Sequence, residues 1–453
     1  MIRQVSAPDR GPALVKQGAQ FLNPIDRTIR CIDRVARQLG YPGIETQMLV
    51  WLAGRADAAA LARAIARLGR HYPVMASRFV EDDGAGRPHW QFRRGEVCPL
   101  AQATLRSDDP EAVLEYAGEL LSTARDPAAA DPLRFHLLHR PGGADVFLLQ
   151  YNHVLMDNRA AVPLLREIER LSRSPTGRGW QSEPRDLVSE HLRQFSRPKR
   201  RKAIEAAIEL QARVFRGRAA TLLPAAPPPP GRARLRIVSH RLEATPASAL
   251  RAKVVALCGF PCVSMAVLGS AFRAIGRLGP PDGSRHHFAT GIGIPIGRSG
   301  QTPPLFQNVT SALSIGVARQ DLGDRNSLVR ILSEQLRERI ADGIDLGVLG
   351  ATAMFARRYR YVEWVAWHLV RYAYSLWYGY FGRLDDAGET LGGSPIEEVF
   401  FSGGPLWPSI GLALLASQHR GRLNLQATYD ERLVSPRLAE AFLDFVLADL
   451  AGM

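Results

Sequence analysis

Cysteine is scarce in this chain and no long stretch is uninterruptedly apolar, and each shortage removes a class of protein. Four cysteines in 453 residues, Cys31, Cys98, Cys258 and Cys262, are too few for a disulfide framework. Cys258 and Cys262 bracket a Gly-Phe-Pro turn, and without a second Cys/His pair they give no metal site. The opening segment, MIRQVSAPDRGPALVKQGAQ, lacks an apolar core of signal-peptide length, so the expected location is the cytoplasm. Acidic residues are outnumbered: 44 Asp and Glu face 58 Lys and Arg, giving a formal charge of +14 and a pI near 10.1. That excess favours anionic partners such as nucleotide phosphates, acidic carrier proteins or membrane surfaces. No helix-turn-helix, zinc or RNA-recognition pattern accompanies the arginines, so specific nucleic-acid binding is not expected.

What is present suits a globular protein with two sizeable cores: 46% of residues are hydrophobic and 23% charged. Thr46 to Leu52 reads as a strand, and Asp57 as the N-cap of a helix with Leu61, Ile65 and Leu68 on one face, ended by Tyr72-Pro73. Arg87 to Arg93 reads as another strand, and Pro110 as the first residue of a helix reaching Ser122. Leu133 to Leu138 and Val146 to Gln150 form a hairpin through Pro141-Gly142-Gly143. From Asp186 to Arg218 the pattern is helical but broken at Pro198. Its basic run RPKRRK, Arg197 to Lys202, is a solvated helix face or a docking site for an acidic partner. The segment LLPAAPPPPGR, Leu222 to Arg232, cannot build a central strand and marks the clearest boundary. Beyond it come a strand at Leu235–Leu242, a helix around Ala247–Leu257, an apolar helix at Ser264–Leu278 and a strand at His286–Pro295. The expected organisation is an N-terminal subdomain over 1–180, a helical and Pro-rich crossover over 181–234, and a C-terminal subdomain over 235–453.

The chemistry concentrates in Val146 to Arg170, VFLLQYNHVLMDNRAAVPLLREIER. A buried strand runs into a short turn, and Ala160 to Ile168 then has apolar residues at helical spacing. His153 and Asp157 lie in the turn. A histidine leaving the core at a strand end can reach a substrate in a cleft, and imidazole can take and return a proton near neutrality. Pro163 is expected to delay or bend the helix that follows.

The strand, the His-x-x-x-Asp turn and the helix resemble the His-x-x-x-Asp acyltransferase superfamily. That superfamily includes chloramphenicol acetyltransferase, nonribosomal peptide synthetase condensation domains, plant BAHD acyltransferases and the wax ester synthase/diacylglycerol acyltransferase family. LNPIDRTI, Leu22 to Ile29, is similar to the Pro-x-Asp opening of wax-ester-synthase-like proteins, and VWLAGRADAAALARAIARLGRHYPVMASRFV to the opening of condensation-like domains. Arg298 with Asn308-Val309 resembles the segment whose arginine pairs with the motif aspartate, and Val399 to Val434 resembles the superfamily ending. The resemblance implies an α/β fold of two chloramphenicol-acetyltransferase-like sandwich subdomains with the active site in a tunnel between them. It implies His153 as general base and an Asp157–Arg298 pair supporting its loop, with Arg27 a rival partner. Ser402, Asn158 and Asn308 become candidates for oxyanion stabilisation or the channel wall. Two departures from His-His-x-x-x-Asp-Gly stand out: Asn152 precedes His153, and Asn158 replaces a glycine that would permit unusual backbone angles.

The implied activity is transfer of an acyl group from a thioester to an alcohol, or less favourably an amine, by a monomer without a tightly bound cofactor or a covalent acyl-enzyme. The thioester, of coenzyme A or of the phosphopantetheine arm of an acyl carrier protein, is substrate. The aromatic stretch Phe355 to Phe381 is expected to pack in the core, with an interfacial helix making peripheral membrane contact, or an acyl-tunnel wall, as alternatives. A protein that keeps the fold, has lost turnover, and binds an acyl chain, carrier protein or synthase partner is the other reading.

Overall fold

Most helix starts among the described residues are set by short polar side chains. Asp57, Asp109, Asp157, Ser196 and Ser435 each accept a backbone N–H from the first turn of the helix that follows, satisfying donors that the helix itself leaves unpaired. The computed structural model describes residues 15–16, 18–81, 88–93, 99–174, 186–223, 231–280, 286–296, 304–355, 373–404 and 406–453. The first half runs β1 (Val15–Lys16), β2 (Ala19–Phe21), α1 (Pro24–Gln38), β3 (Glu45–Leu52), α2 (Ala58–His71), β4 (Ser77–Val80), β5 (His89–Phe92), β6 (Leu100–Thr104), α3 (Pro110–Ser122), β7 (Leu133–His139), β8 (Asp145–Asn152) and α4 (Asn158–Arg173). Next come α5 (Leu187–Arg193) and α6 (Arg197–Arg216). The second half comprises β9 (Leu235–Leu242), α7 (Ala244–Cys258), α8 (Val263–Leu278), β10 (His287–Pro295), β11 (Thr310–Ala318), α9 (Arg325–Ala341), α10 (Ile344–Phe355), β12 (Trp377–Arg383), β13 (Thr390–Leu391), β14 (Ser394–Gly403), β15 (Leu412–His419), β16 (Arg422–Asp430) and α11 (Pro436–Ala451).

Two strands organise the first half. Every residue of β3 and β8 is buried, which is why both read as apolar runs rather than alternating ones. They pair antiparallel at the centre of a six-stranded sheet ordered β13-β14-β3-β8-β7-β6. On one face Leu61, Ile65 and Leu68 of α2 and Leu164, Leu165 and Ile168 of α4 pack on Met48, Val50, Phe147 and Leu149. Each such side chain, fully buried, contributes about 1.5–3 kcal/mol. On the other face Val113, Ala117 and Leu121 of α3 join Leu49 and Leu148, together with Ile237, Trp407 and Ala413 from the second half. In that half a sheet ordered β12-β15-β16-β9 carries α7, α8 and α11, with Phe272 and Phe442 among the largest side chains of its core.

The chain-order division is crossed by β14. It pairs antiparallel with β3, Val399 opposite Val50 and Ser402 opposite Gln47, so a strand beyond residue 390 completes the sheet that carries His153. The helical pattern over Asp186 to Arg218 is broken just before Pro198: α5 stops at Arg193, Ser196 caps α6, and Pro198 occupies its first turn, where its missing N–H costs nothing. One helix expectation changes: Pro163 does not delay α4, because the Asp157 cap starts the helix at Asn158. Among the described residues no single helix is long and apolar enough to cross a membrane. Residues 356–372 of the aromatic stretch lie outside the described residues, as does most of the proline run.

Candidate functional site

The turn between β8 and α4 is held from three sides. From the sheet, Asn152 Nδ2 donates to Glu45 Oε1 at 3.1 Å while its Oδ1 accepts the Val154 N–H at 2.9 Å. Glu45 is itself paired with Arg125 at 3.0 Å, both nearly fully enclosed, and accepts from Gln150. Removing one member would leave the other charged and buried, the costly way to break such a pair. Asn152 therefore fills the first-histidine position of the resembling motif with a side chain whose donor and acceptor are both used.

From α1, Asp33 accepts the Ile44 N–H at 2.8 Å and is fixed by Arg30 and Arg37, while Ile44 O accepts the His153 N–H at 2.9 Å. From the second half comes the segment leading into β11. Asp157 Oδ2 accepts the Val309 N–H at 3.1 Å and the Thr310 hydroxyl at 2.8 Å, and its Oδ1 accepts the Ala160 N–H at 3.2 Å. Asn308 Nδ2 donates to His153 O at 2.9 Å. One carboxylate thus starts α4 and ties the two halves together.

A second carboxylate stands behind this contact. Asp26, on the first turn of α1, is almost fully buried. Its Oδ1 accepts the Asn308 backbone N–H at 3.1 Å and side-chain Nδ2 at 2.8 Å, and its Oδ2 accepts the Asn23 N–H at 2.9 Å. Burial raises its pKa to about 7. Hydrogen bonds from Asn308 and Asn23 oppose that rise, and the charge of Asp157 adds to it.

His153 is half-buried, and its Nδ1 is enclosed without a hydrogen-bond partner among the described residues. Burial lowers the imidazole pKa below its ordinary value, an effect that its own backbone carbonyl, the charge of Asp157 and the Asn308 side chain, each favouring the charged ring, only partly offset. The ring is therefore neutral at neutral pH, the state a general base requires.

The candidate residues separate into two groups. His153, Asp157 and Asn308 meet in one hydrogen-bonded unit, whereas Asn158 and Ser402 have other tasks. Asn158 lies in the first turn of α4, outside the left-handed region, and its Oδ1 accepts the Tyr151 hydroxyl at 2.6 Å in a buried contact. Helical backbone here needs no glycine. Ser402 is buried within β14 and donates to Gln47 Oε1 at 3.1 Å, on a rung where Gln47 also faces Gln150. Its neighbour Gly403 is required by space: at φ +95°, an added Cβ would lie 2.6 Å from Glu45 O. Both amide hydrogens of Asn308 are engaged by Asp26 and the His153 carbonyl, which assigns it to holding the loop rather than to meeting an oxyanion. Arg298 lies outside the described residues. Arg27 Nε donates to Leu22 O at 3.2 Å.

The sequence points to none of Glu45, Arg125 and Thr310, and to Asp26 only as the acid of the Pro-x-Asp opening, without a role. The signal for Asp26 was present in Asn23-Pro24-Ile25-Asp26, a capping-box spacing with proline at the first helical position. Glu45 is an acid at the mouth of an otherwise apolar strand, and its partners lie far away in sequence. A cleft of about 840 Å³ is lined by Trp51, Leu114, Phe400, Ser239, Arg241 and others. Trp51 is near the end of β3 away from Glu45, roughly 20 Å along the strand at ~3.3 Å per residue, so this cleft is separate from the His153 turn.

No sequence-family model matches the chain, and no curated protein matches it by sequence. Solved structures do match over nearly its whole length. A trichothecene 15-O-acetyltransferase from Fusarium sporotrichioides is 13% identical with a TM-score of 0.71, covering 100% of this chain and 99% of its own. The first condensation domain of the calcium-dependent antibiotic synthetase, in complex with a substrate analogue, is 14% identical with a TM-score of 0.68, covering 98% and 96%. The starter condensation domain of rhizomide synthetase, in complex with C8-CoA and Leu-SNAC, is 12% identical with a TM-score of 0.67, covering 96% and 95%. At these identities the likeness is one of fold: the chain has the two-subdomain, chloramphenicol-acetyltransferase-like architecture shared by CoA-dependent acyltransferases and condensation domains.

Proposed function

We propose that the protein is a stand-alone acyltransferase that moves an acyl group from a thioester, of coenzyme A or of an acyl carrier protein, to an alcohol, with an amine the less favoured acceptor. The observation that carries this reading is the half-buried His153, its pKa lowered by burial and its backbone clamped by both halves of the chain. A neutral imidazole takes the hydroxyl proton as the acceptor oxygen bonds to the thioester carbonyl carbon. The tetrahedral intermediate then expels sulfur as the C–S bond breaks, and the imidazolium returns its proton to the thiolate. The residues of the turn hold the base, and no covalent acyl-enzyme is needed. Asn158, the departure that most favoured a turnover-deficient binding protein, is engaged by Tyr151, which weakens that alternative.

The test is acceptor-dependent thiol release from acyl-CoAs and acyl carrier proteins offered with mixed alcohols and amines. General-base assistance is worth about 10²–10⁴-fold, so His153→Ala should lower turnover by that factor while donor binding persists. Equal rates in wild type and variant would remove His153 from the mechanism.

A further inference from the structure

Asp26 has two oxygens with separate duties. Oδ2 closes the capping box by accepting the Asn23 N–H, a local task that any such helix start performs. Oδ1 accepts twice from a residue 282 positions away, the backbone N–H and the side-chain Nδ2 of Asn308. Helix capping does not call for that second contact. The same Nδ2 donates its other hydrogen to His153 O at 2.9 Å, with Val154 O further off at 3.4 Å. Asn23 Nδ2 also donates to Asn308 O at 2.9 Å, so the start of α1 grips Asn308 from both sides.

The amide orientation of Asn308 follows from its surroundings. Its Nδ2 faces Asp26 Oδ1 and the two carbonyls, all acceptors, and a flipped amide would set oxygen against them. The cost of this arrangement is visible, since Asn308 Oδ1 is buried without a hydrogen-bond partner among the described residues. A buried acceptor left unmatched opposes stability. The acceptors around Nδ2 therefore have to hold the amide between them, and Asp26 Oδ1 is the one among them that also accepts the Asn308 backbone N–H and that a substitution can remove.

Building on the proposed role of His153 as base, we infer that Asp26 is a positioning residue for it: through Asn308, the Asp26 side chain fixes the His153 carbonyl and so the placement of the imidazole between the two halves. Asp26 touches no substrate in this role. A shift of about 1 Å in a reacting group can cost about 100-fold in rate, so the link acts on kcat and leaves donor affinity alone.

The experiment uses the full chain with Asp26→Asn, Asn308→Ala and the double variant. Asn308→Ala leaves the capping box intact, which separates the relay from helix capping. Each single variant should lower kcat about 10- to 100-fold with KM within about twofold, and the double should be no worse than Asn308→Ala alone, as for residues acting in one chain. The ¹³Cε1 resonance of His153, assigned by its loss in His153→Ala, should move in both single variants. That readout needs no turnover, so it tests the link even if no acyl transfer is found, whereas full activity in His153→Ala would overturn the base reading alone. An unmoved His153 resonance with unchanged kcat, or a melting-temperature loss in Asp26→Asn without either effect, would overturn the inference and leave Asp26 as a helix cap.

Discussion

Removing an imidazole from water penalises its charged form, and at His153 this penalty outweighs the attraction of Asp157. The pH dependence has a definite sign. If the neutral ring is the base, kcat/KM should rise with pH to a plateau, with its midpoint below 6.5, the ordinary value. A stopped-assay profile between pH 5 and 8 checks this, and a midpoint above 6.5 would contradict it. Asp26 runs the other way. Its native pKa lies near 7 against 3.8 for the free side chain, so the native state holds a proton that the unfolded chain releases in between. The stability contributed by this group is complete below about pH 4 and declines as pH rises through 7. Urea unfolding at pH 5 and pH 8 should therefore show a larger decline for wild type than for Asp26→Asn. An equal decline would place the titration elsewhere.

At the level of elements, one carboxylate starts α4 and receives the strand β11. Asp157 uses both oxygens as acceptors, for Ala160 on one side and for Val309 and Thr310 on the other. Asparagine has the same shape but turns one acceptor into a donor, so Asp157→Asn must face an N–H with an N–H. A loss of about 1–3 kcal/mol is expected in denaturant unfolding, together with reduced turnover. Stability equal to wild type would mean that the two halves are tied elsewhere. The β14 contact makes a similar demand at Gly403, where a side chain would meet Glu45 O and the backbone has positive φ. Gly403→Ala should lower stability by about 2 kcal/mol or more, and the same unfolding measurement decides it.

Across the whole molecule, local structure was far more legible than long-range pairing. The strands at β3 and β8, the Asp57 and Pro110 helix starts and the hairpin from β7 to β8 follow from apolar periodicity and turn chemistry within a few residues. Pairing of β14 with β3 was not legible, because periodicity says which face of a strand is buried and nothing about which distant strand lies beside it. The same distance hid the relay. The capping box around Asp26 is written in four consecutive residues, but the partner of its second oxygen is Asn308. Ser402 shows the converse: the family resemblance offers its hydroxyl to an oxyanion, and its rung partner Gln47 takes it. Glycine is usual at the Asn158 position in the resembling families, yet the Asp157 cap places Asn158 in ordinary helical geometry.

The most direct measurement follows a labelled acyl group from thioester donor to acceptor by product mass, in wild type and His153→Ala, with intact-protein mass recorded in parallel. The expected result is an acylated alcohol formed by wild type, its rate reduced at least about 100-fold in the variant, and no acyl adduct on the protein. Equal product formation by wild type and His153→Ala, or an acylated protein that disappears on adding acceptor, would contradict direct transfer by His153.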